Sequence, residues 1–122
     1  QVDVRLRVSA SADSGTNYRR QRRSASSTTV GGARGTSETS WAFARGWTEA
    51  TAIGFAQLRV SNPFEAVRTS AWSDSGDTST GNIGLWRSVY AHDLTTSYTG
   101  FSVIPSAGTI TGSITTYGLK AS

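Results

Sequence analysis

Few side chains in this 122-residue chain can do acid–base or covalent chemistry. The single imidazole, His92, adjoins a carboxylate, Asp93. An acyl-transfer triad would need a nucleophile converging on that pair, and no G-x-S-x-G elbow occurs. The pair therefore reads as a solvated loop feature. Cysteine is absent, which excludes thiolate nucleophiles, disulfides and thiolate metal centres. One His is too few for a typical zinc site. Asp74 and Asp77 flank Gly76 and could offer oxygen ligands to a weakly held Ca²⁺, but their spacing matches no EF-hand and reads as turn chemistry. Glu38, Glu49 and Glu65 form no pattern that suggests a glycosidase pair. The expectation is a protein that is no enzyme and holds neither metal nor cofactor.

Binding chemistry is better represented. Tyr18-Arg19-Arg20-Gln21-Arg22-Arg23 places four guanidinium groups beside one phenol, a set that could dock on phosphates or on an acidic partner. In a strand, alternation would put Arg19, Gln21 and Arg23 on one face and Tyr18, Arg20 and Arg22 on the other. That division halves the charge offered to any flat partner and disfavours nucleic acid. Some of these arginines could instead meet Asp74, Asp77 or Asp93. The charge is uneven: residues 1–45 hold eight Arg against three acids, whereas residues 46–122 hold four bases against five acids. Trp41, Trp47, Trp72 and Trp86 all sit in alternating stretches, so core packing is the default for most of them. Trp47 and Trp72 lie nearest to strand ends, where binding residues concentrate. With Asp74, Asp77, His92 and Tyr98 they form the candidate receptor or glycan contact. Tyr18, Arg19, Arg20, Arg22 and Arg23 form the candidate docking patch.

The elements that must position these groups are strands. Ser, Thr and Gly, at 19, 17 and 13 residues, are weak helix formers. Twelve large aromatics are enough to anchor a small core. Val2, Val4, Leu6 and Val8 alternate with Asp3, Arg5 and Arg7. Ser11–Asn17 is turn-rich, and a basic strand follows over Tyr18–Ser24. Residues 24–40 read as a long exposed loop with a short strand near Thr28–Val30. Trp41, Phe43 and Trp47 share a face. Ile53 and Phe55 lie opposite Leu58 and Val60. Asn62-Pro63 is a break. Phe64–Ser73 alternates, 73–82 is a polar loop, and Ile83, Leu85, Arg87 and Val89 alternate with Trp86 and Tyr90. A third loop spans 92–100. Phe101–Ile104 is a short strand stopped by Pro105, and a last strand covers Thr109–Lys120. Thr48–Leu58 is the best helix candidate, but Gly54 and its β-branched residues argue against it. About eight strands punctuated by turns predict one all-β domain over residues 1–122, an antiparallel two-sheet β-sandwich of jelly-roll type. No apolar run approaches the length of a membrane-spanning helix.

Two segments taken together resemble a known domain. The first is Asp13-Ser14-Gly15-Thr16-Asn17-Tyr18, directly after the Val4–Val8 alternation. The second runs Ile104-Pro105-Ser106-Ala107-Gly108-Thr109-Ile110-Thr111-Gly112-Ser113-Ile114 and closes with Tyr117-Gly118-Leu119-Lys120. They resemble a β-sandwich domain of tailed-bacteriophage virion proteins, in which a D-S-G-x-N-Y turn precedes a strand and a G-T-I-T-G-x-I-x-x-Y-G strand ends the chain. Trp41, Gly46 and Asn62-Pro63-Phe64 fit more loosely. The resemblance implies a virion surface module, most readily a tail fibre or tail tip (minor tail protein) contacting the bacterial surface. A capsid decoration or head-fibre protein is the first alternative, and a nucleic-acid- or carbohydrate-binding β-domain the alternative from another class. It also implies other virion proteins as partners, a homotrimer, and a host surface glycan as ligand. Similar domains carry more residues before the D-S-G turn than the dozen present here, so the chain reads as the C-terminal domain of a longer protein or as one whose missing strand comes from a neighbour.

Overall fold

The alternation at the start of the chain forms the central strand of the smaller of two sheets. The computed structural model describes residues 1–44, 53–79 and 82–118, with only the backbone described at 79 and 82. Strands β1 (Val2–Val8), β2 (Ser11–Ala12), β3 (Tyr18–Ser26), β4 (Thr29–Glu38), β5 (Trp41–Ala44), β6 (Ile53–Ser61), β7 (Ser70–Ser79), β8 (Asn82–His92) and β9 (Gly100–Pro105) follow in order, and all pairings are antiparallel. No helix occurs among the described residues. In the smaller sheet, β1 pairs with β9 along one edge and with β5 and then β2 along the other. The larger sheet has the order β4-β3-β8-β7-β6. The chain is a two-sheet β-sandwich.

Four sequence-based expectations change. Residues 24–40 are no loop: β4 runs the full length of β3, joined to it at Ser27, whose φ is 55°. β4 is a sheet edge exposed on both faces, so its ladder needs no apolar alternation, and none is there to read. Residues 73–79 and 82 are likewise strand, because Ser73, Ser75 and Asp77 are the inward positions of β7 and are buried despite being polar. Residues 64–69, expected in a strand, lie outside any; Asn62 adopts φ 55° and the chain turns there, leaving Phe64 and Val67 exposed. The expected strand over 109–120 is absent through residue 118. By contrast, β6 holds Ile53 and Phe55 on one face and Leu58 and Val60 on the other, as the alternation predicts.

The core is smaller and more polar than a Val/Ile/Leu sandwich. Val4 and Leu6 from β1 and Trp41 from β5 pack against Tyr18, Ala71, Tyr90 and Tyr98, while Ile53, Ile83, Leu85 and Val89 remain exposed. Trp41 is the centrepiece. Its ring centroid lies 5.6 Å from Tyr18 in an edge-on contact and 5.5 Å from Tyr90, and its indole N–H donates to the Ala91 carbonyl at 3.2 Å. The tyrosines carry hydroxyls into this core, and those of Tyr18 and Tyr90 are satisfied across the sheets. Tyr18 accepts from the Leu6 N–H at 3.0 Å and donates to the Asp13 carbonyl at 2.9 Å. Tyr90 donates to the Ala42 carbonyl at 2.8 Å, so Ser73, 2.8 Å away, donates to Tyr90. Two glycines accommodate close approaches. A Cβ on Gly76 would strike the Phe55 ring at 2.6 Å, and one on Gly84 would strike the Asp77 carboxylate at 2.7 Å.

Trp41→Ala should cost about 3–5 kcal/mol, the range for truncating a fully buried aromatic. Urea unfolding followed by circular dichroism would measure it.

Candidate functional site

The residues with chemical potential divide into a buried set and an exposed set. The buried set starts from the Asp13-Ser14-Gly15 turn. Asp13 Oδ1 accepts from the Gly15 N–H at 2.8 Å, and Oδ2 accepts from the Asn17 side-chain amide at 3.2 Å. This Asx-type turn aims the same carboxylate inward. His92 Nε2 lies 2.6 Å from Asp13 Oδ2, and His92 Nδ1 lies 3.0 Å from the Tyr98 hydroxyl. A carboxylate only accepts, so Nε2 carries a proton and donates to Asp13, while Nδ1 and the Tyr98 hydroxyl share the second bond. The imidazole is also ringed edge-on by Tyr18 at 4.5 Å, Tyr98 at 5.1 Å and Trp41 at 6.4 Å.

The partner of His92 is thus Asp13, and the solvated His92–Asp93 pair expected from adjacency does not form. Neighbouring strand residues point to opposite faces, which separates them. Asp93 instead takes Arg19 at 2.6 Å and Arg68 at 3.7 Å. The Asp–His–Tyr chain has the connectivity of a proton relay, but His92 is 0% exposed, so no substrate reaches it. Tyr98 is equally buried. Neither touches an external ligand in this arrangement, contrary to their expected place in a receptor contact. Asp77 is buried on the inner face of β7 against Gly84, while Asp74 lies on the outer face, so the two cannot share a cation. Trp47 lies outside the described residues.

The basic cluster divides between faces as alternation requires. Tyr18, Arg20 and Arg22 point inward from β3; Arg19, Gln21 and Arg23 point outward. Arg20 pairs with Glu38 at 2.7 Å, and Arg22 stacks 4.3 Å over the Trp86 ring. With Tyr18 buried and Arg19 engaged by Asp93, the five residues offer no common surface.

The exposed set lies on the outer face of the larger sheet. Trp72 stands half-buried between Arg59 on β6 and Val89 on β8. One register step along, Arg87 grips Asp74 with two hydrogen bonds, Nε to Oδ1 at 2.7 Å and Nη2 to Oδ2 at 3.1 Å. These bonds hold the Asp74 carboxyl below its ordinary range. Ser61 and Ser70 complete a shallow groove with Trp72, Arg87 and Val89. Of the residues nominated from sequence, Trp72 and Asp74 meet here. Arg87, Ser61, Ser70 and Val89 were missed. Their signal was the hairpin itself, since Asp74 and Arg87 are equidistant from its Ser79–Asn82 end.

No protein-family profile, curated protein or solved structure matches the chain.

Burial raises the Asp13 pKa, but the bonds from Gly15, Asn17 and His92 outweigh it and leave the folded value below the ordinary 3.8. A depressed carboxyl stabilises the fold in full above its unfolded pKa, and that contribution is lost as pH falls through the folded value. The urea midpoint of the native chain should therefore drop below about pH 4. Asp13→Asn should lower it at neutral pH and flatten that acid dependence.

Proposed function

We propose that the chain is an adhesive structural module on the surface of a bacteriophage particle, in a tail fibre or tail tip, and that the groove around Trp72 contacts bacterial surface saccharide. The chemistry of the groove carries this reading. An indole face offers an apolar, polarisable surface to the C–H face of a sugar ring. The flanking Arg87–Asp74 pair and the Ser61 and Ser70 hydroxyls supply planar donors and acceptors for ring hydroxyls. An exposed ion pair of this kind adds little stability, so its fixed two-bond geometry is of more use to a ligand than to the fold.

Two further observations support the reading. Asp13, Gly15, Asn17 and Tyr18, which carry the resemblance to phage virion domains, are the residues that close the turn and lock the sheets here. The groups most suited to acid–base catalysis, His92 and Asp13, are spent on the interior, which favours adhesion over turnover. The second segment of the resemblance pairs only through Ile104 and Pro105 of β9, forms no strand over 109–118, and lends no such support.

A fluorescently labelled domain should bind bacterial cells or an array of their envelope glycans. Trp72→Ala should weaken that binding at least tenfold, while its urea midpoint shifts far less than that of Trp41→Ala. Unchanged binding by Trp72→Ala, or no retention on any envelope glycan, would overturn the saccharide assignment. Mass spectrometry of purified particles lacking this chain would overturn the virion assignment.

A further inference from the structure

Segment 109–118, Thr-Ile-Thr-Gly-Ser-Ile-Thr-Thr-Tyr-Gly, is rich in residues that favour extended backbone. Yet among the described residues it joins no ladder and makes no hydrogen bond. It follows the Ser106–Gly108 bend, where Gly108 has φ 67°, and every residue in it is exposed. A Cβ added at Gly108, Gly112 or Gly118 would meet nothing within 4 Å. Ile110, Ile114 and Tyr117 are 46%, 63% and 86% exposed. This is a strand-forming sequence without a partner among the described residues.

A second unpartnered element lies at the edge of the larger sheet. Of its two edge strands, β4 carries the usual guards against pairing: Arg34, Glu38 and a register irregularity opposite Tyr18–Arg20. β6 carries Arg59 alone, has no proline, and keeps nine consecutive pairs with β7 without a bulge. Among the described residues nothing pairs with its outer edge. Its Ile53 and Phe55 are 72% and 67% exposed, and the apolar surface continues into Ile83 and Leu85 on β8. This end of the face carries no charge, and neither does segment 109–118.

We propose that segment 109–118 of one copy adds as a strand to the β6 edge of a second copy. At about 3.3 Å per residue the segment spans about 33 Å and β6 about 30 Å, so their lengths match. Ile110 and Ile114 are four apart and share one strand face, which can lie beside Ile53 and Phe55. Main-chain hydrogen bonds supply the affinity, and the isoleucines set the register. Donor strand and acceptor edge are different surfaces, so the contact is heterologous and is completed by reciprocal exchange or by closure into a ring. The inference does not rest on the virion assignment.

Ile114→Pro tests it, because Ile114 is exposed and makes no hydrogen bond among the described residues, and proline cannot donate to a ladder. The native chain should sediment as an oligomer at high micromolar concentration, with β6 amides protected from hydrogen exchange. Ile114→Pro should sediment as a monomer, lose that protection on β6 and keep the thermal midpoint of the dilute native chain. A native chain that stays monomeric would overturn the proposal, including the case in which β6 is protected within one chain. An oligomer that survives Ile114→Pro, or one whose protection falls on strands other than β6, would overturn it equally.

Discussion

The sandwich depends on bringing phenols and an imidazole into a core too poor in aliphatic side chains to close without them. Each buried hydroxyl costs free energy unless it finds a partner, and an unmade bond inside costs more than a made one gains. For its largest buried polar side chains the fold meets that constraint with bonds that run between the two sheets. Tyr18 reaches from β3 to the Leu6 amide, Tyr90 from β8 to the Ala42 carbonyl, and the Trp41 indole from β5 to the Ala91 carbonyl. The two layers are held in one relative position by directional bonds as well as by area. Sliding either sheet would strand several polar groups at once.

The D-S-G-x-N-Y turn belongs to the same constraint. Its carboxylate satisfies the Gly15 amide, the Asn17 side chain and the His92 ring together. His92 in turn takes the Tyr98 hydroxyl and anchors the stretch that leads into β9. A turn that looks like local backbone chemistry therefore fixes contacts 79 residues away in sequence. This explains how a largely exposed polar turn is tied to the core through the half-buried Asp13 and the buried Tyr18.

With the interior so polar, many branched apolar residues are left outside. Ile53, Phe55, Ile83 and Leu85 gather at one end of the outer face of the larger sheet, and Trp72 with its ion pair lies further along the same strands. One sheet face thus presents a hydrophobic edge region and an aromatic, hydrogen-bonding groove. The first suits pairing with another copy, the second suits a polyhydroxylated ligand, and the two surfaces need not compete.

The amino-acid order alone determined the all-β class, the faces of β1, β3 and β6 and the division of the arginine cluster. Those features follow from period-two alternation, which is local. Alternation failed where both faces of a strand are wet, as in β4, or where its inward residues are small and polar, as in β7, since neither leaves a hydrophobic trace. It also overestimated 109–118, because strand propensity cannot supply a neighbour to pair with. Only the tertiary structure decided that His92 meets Asp13 and not Asp93, that Tyr98 is sealed inside, and that Asp74 faces Arg87. Each of these depends on which strands lie side by side, and that is fixed by the simultaneous satisfaction of buried polar groups from distant parts of the chain.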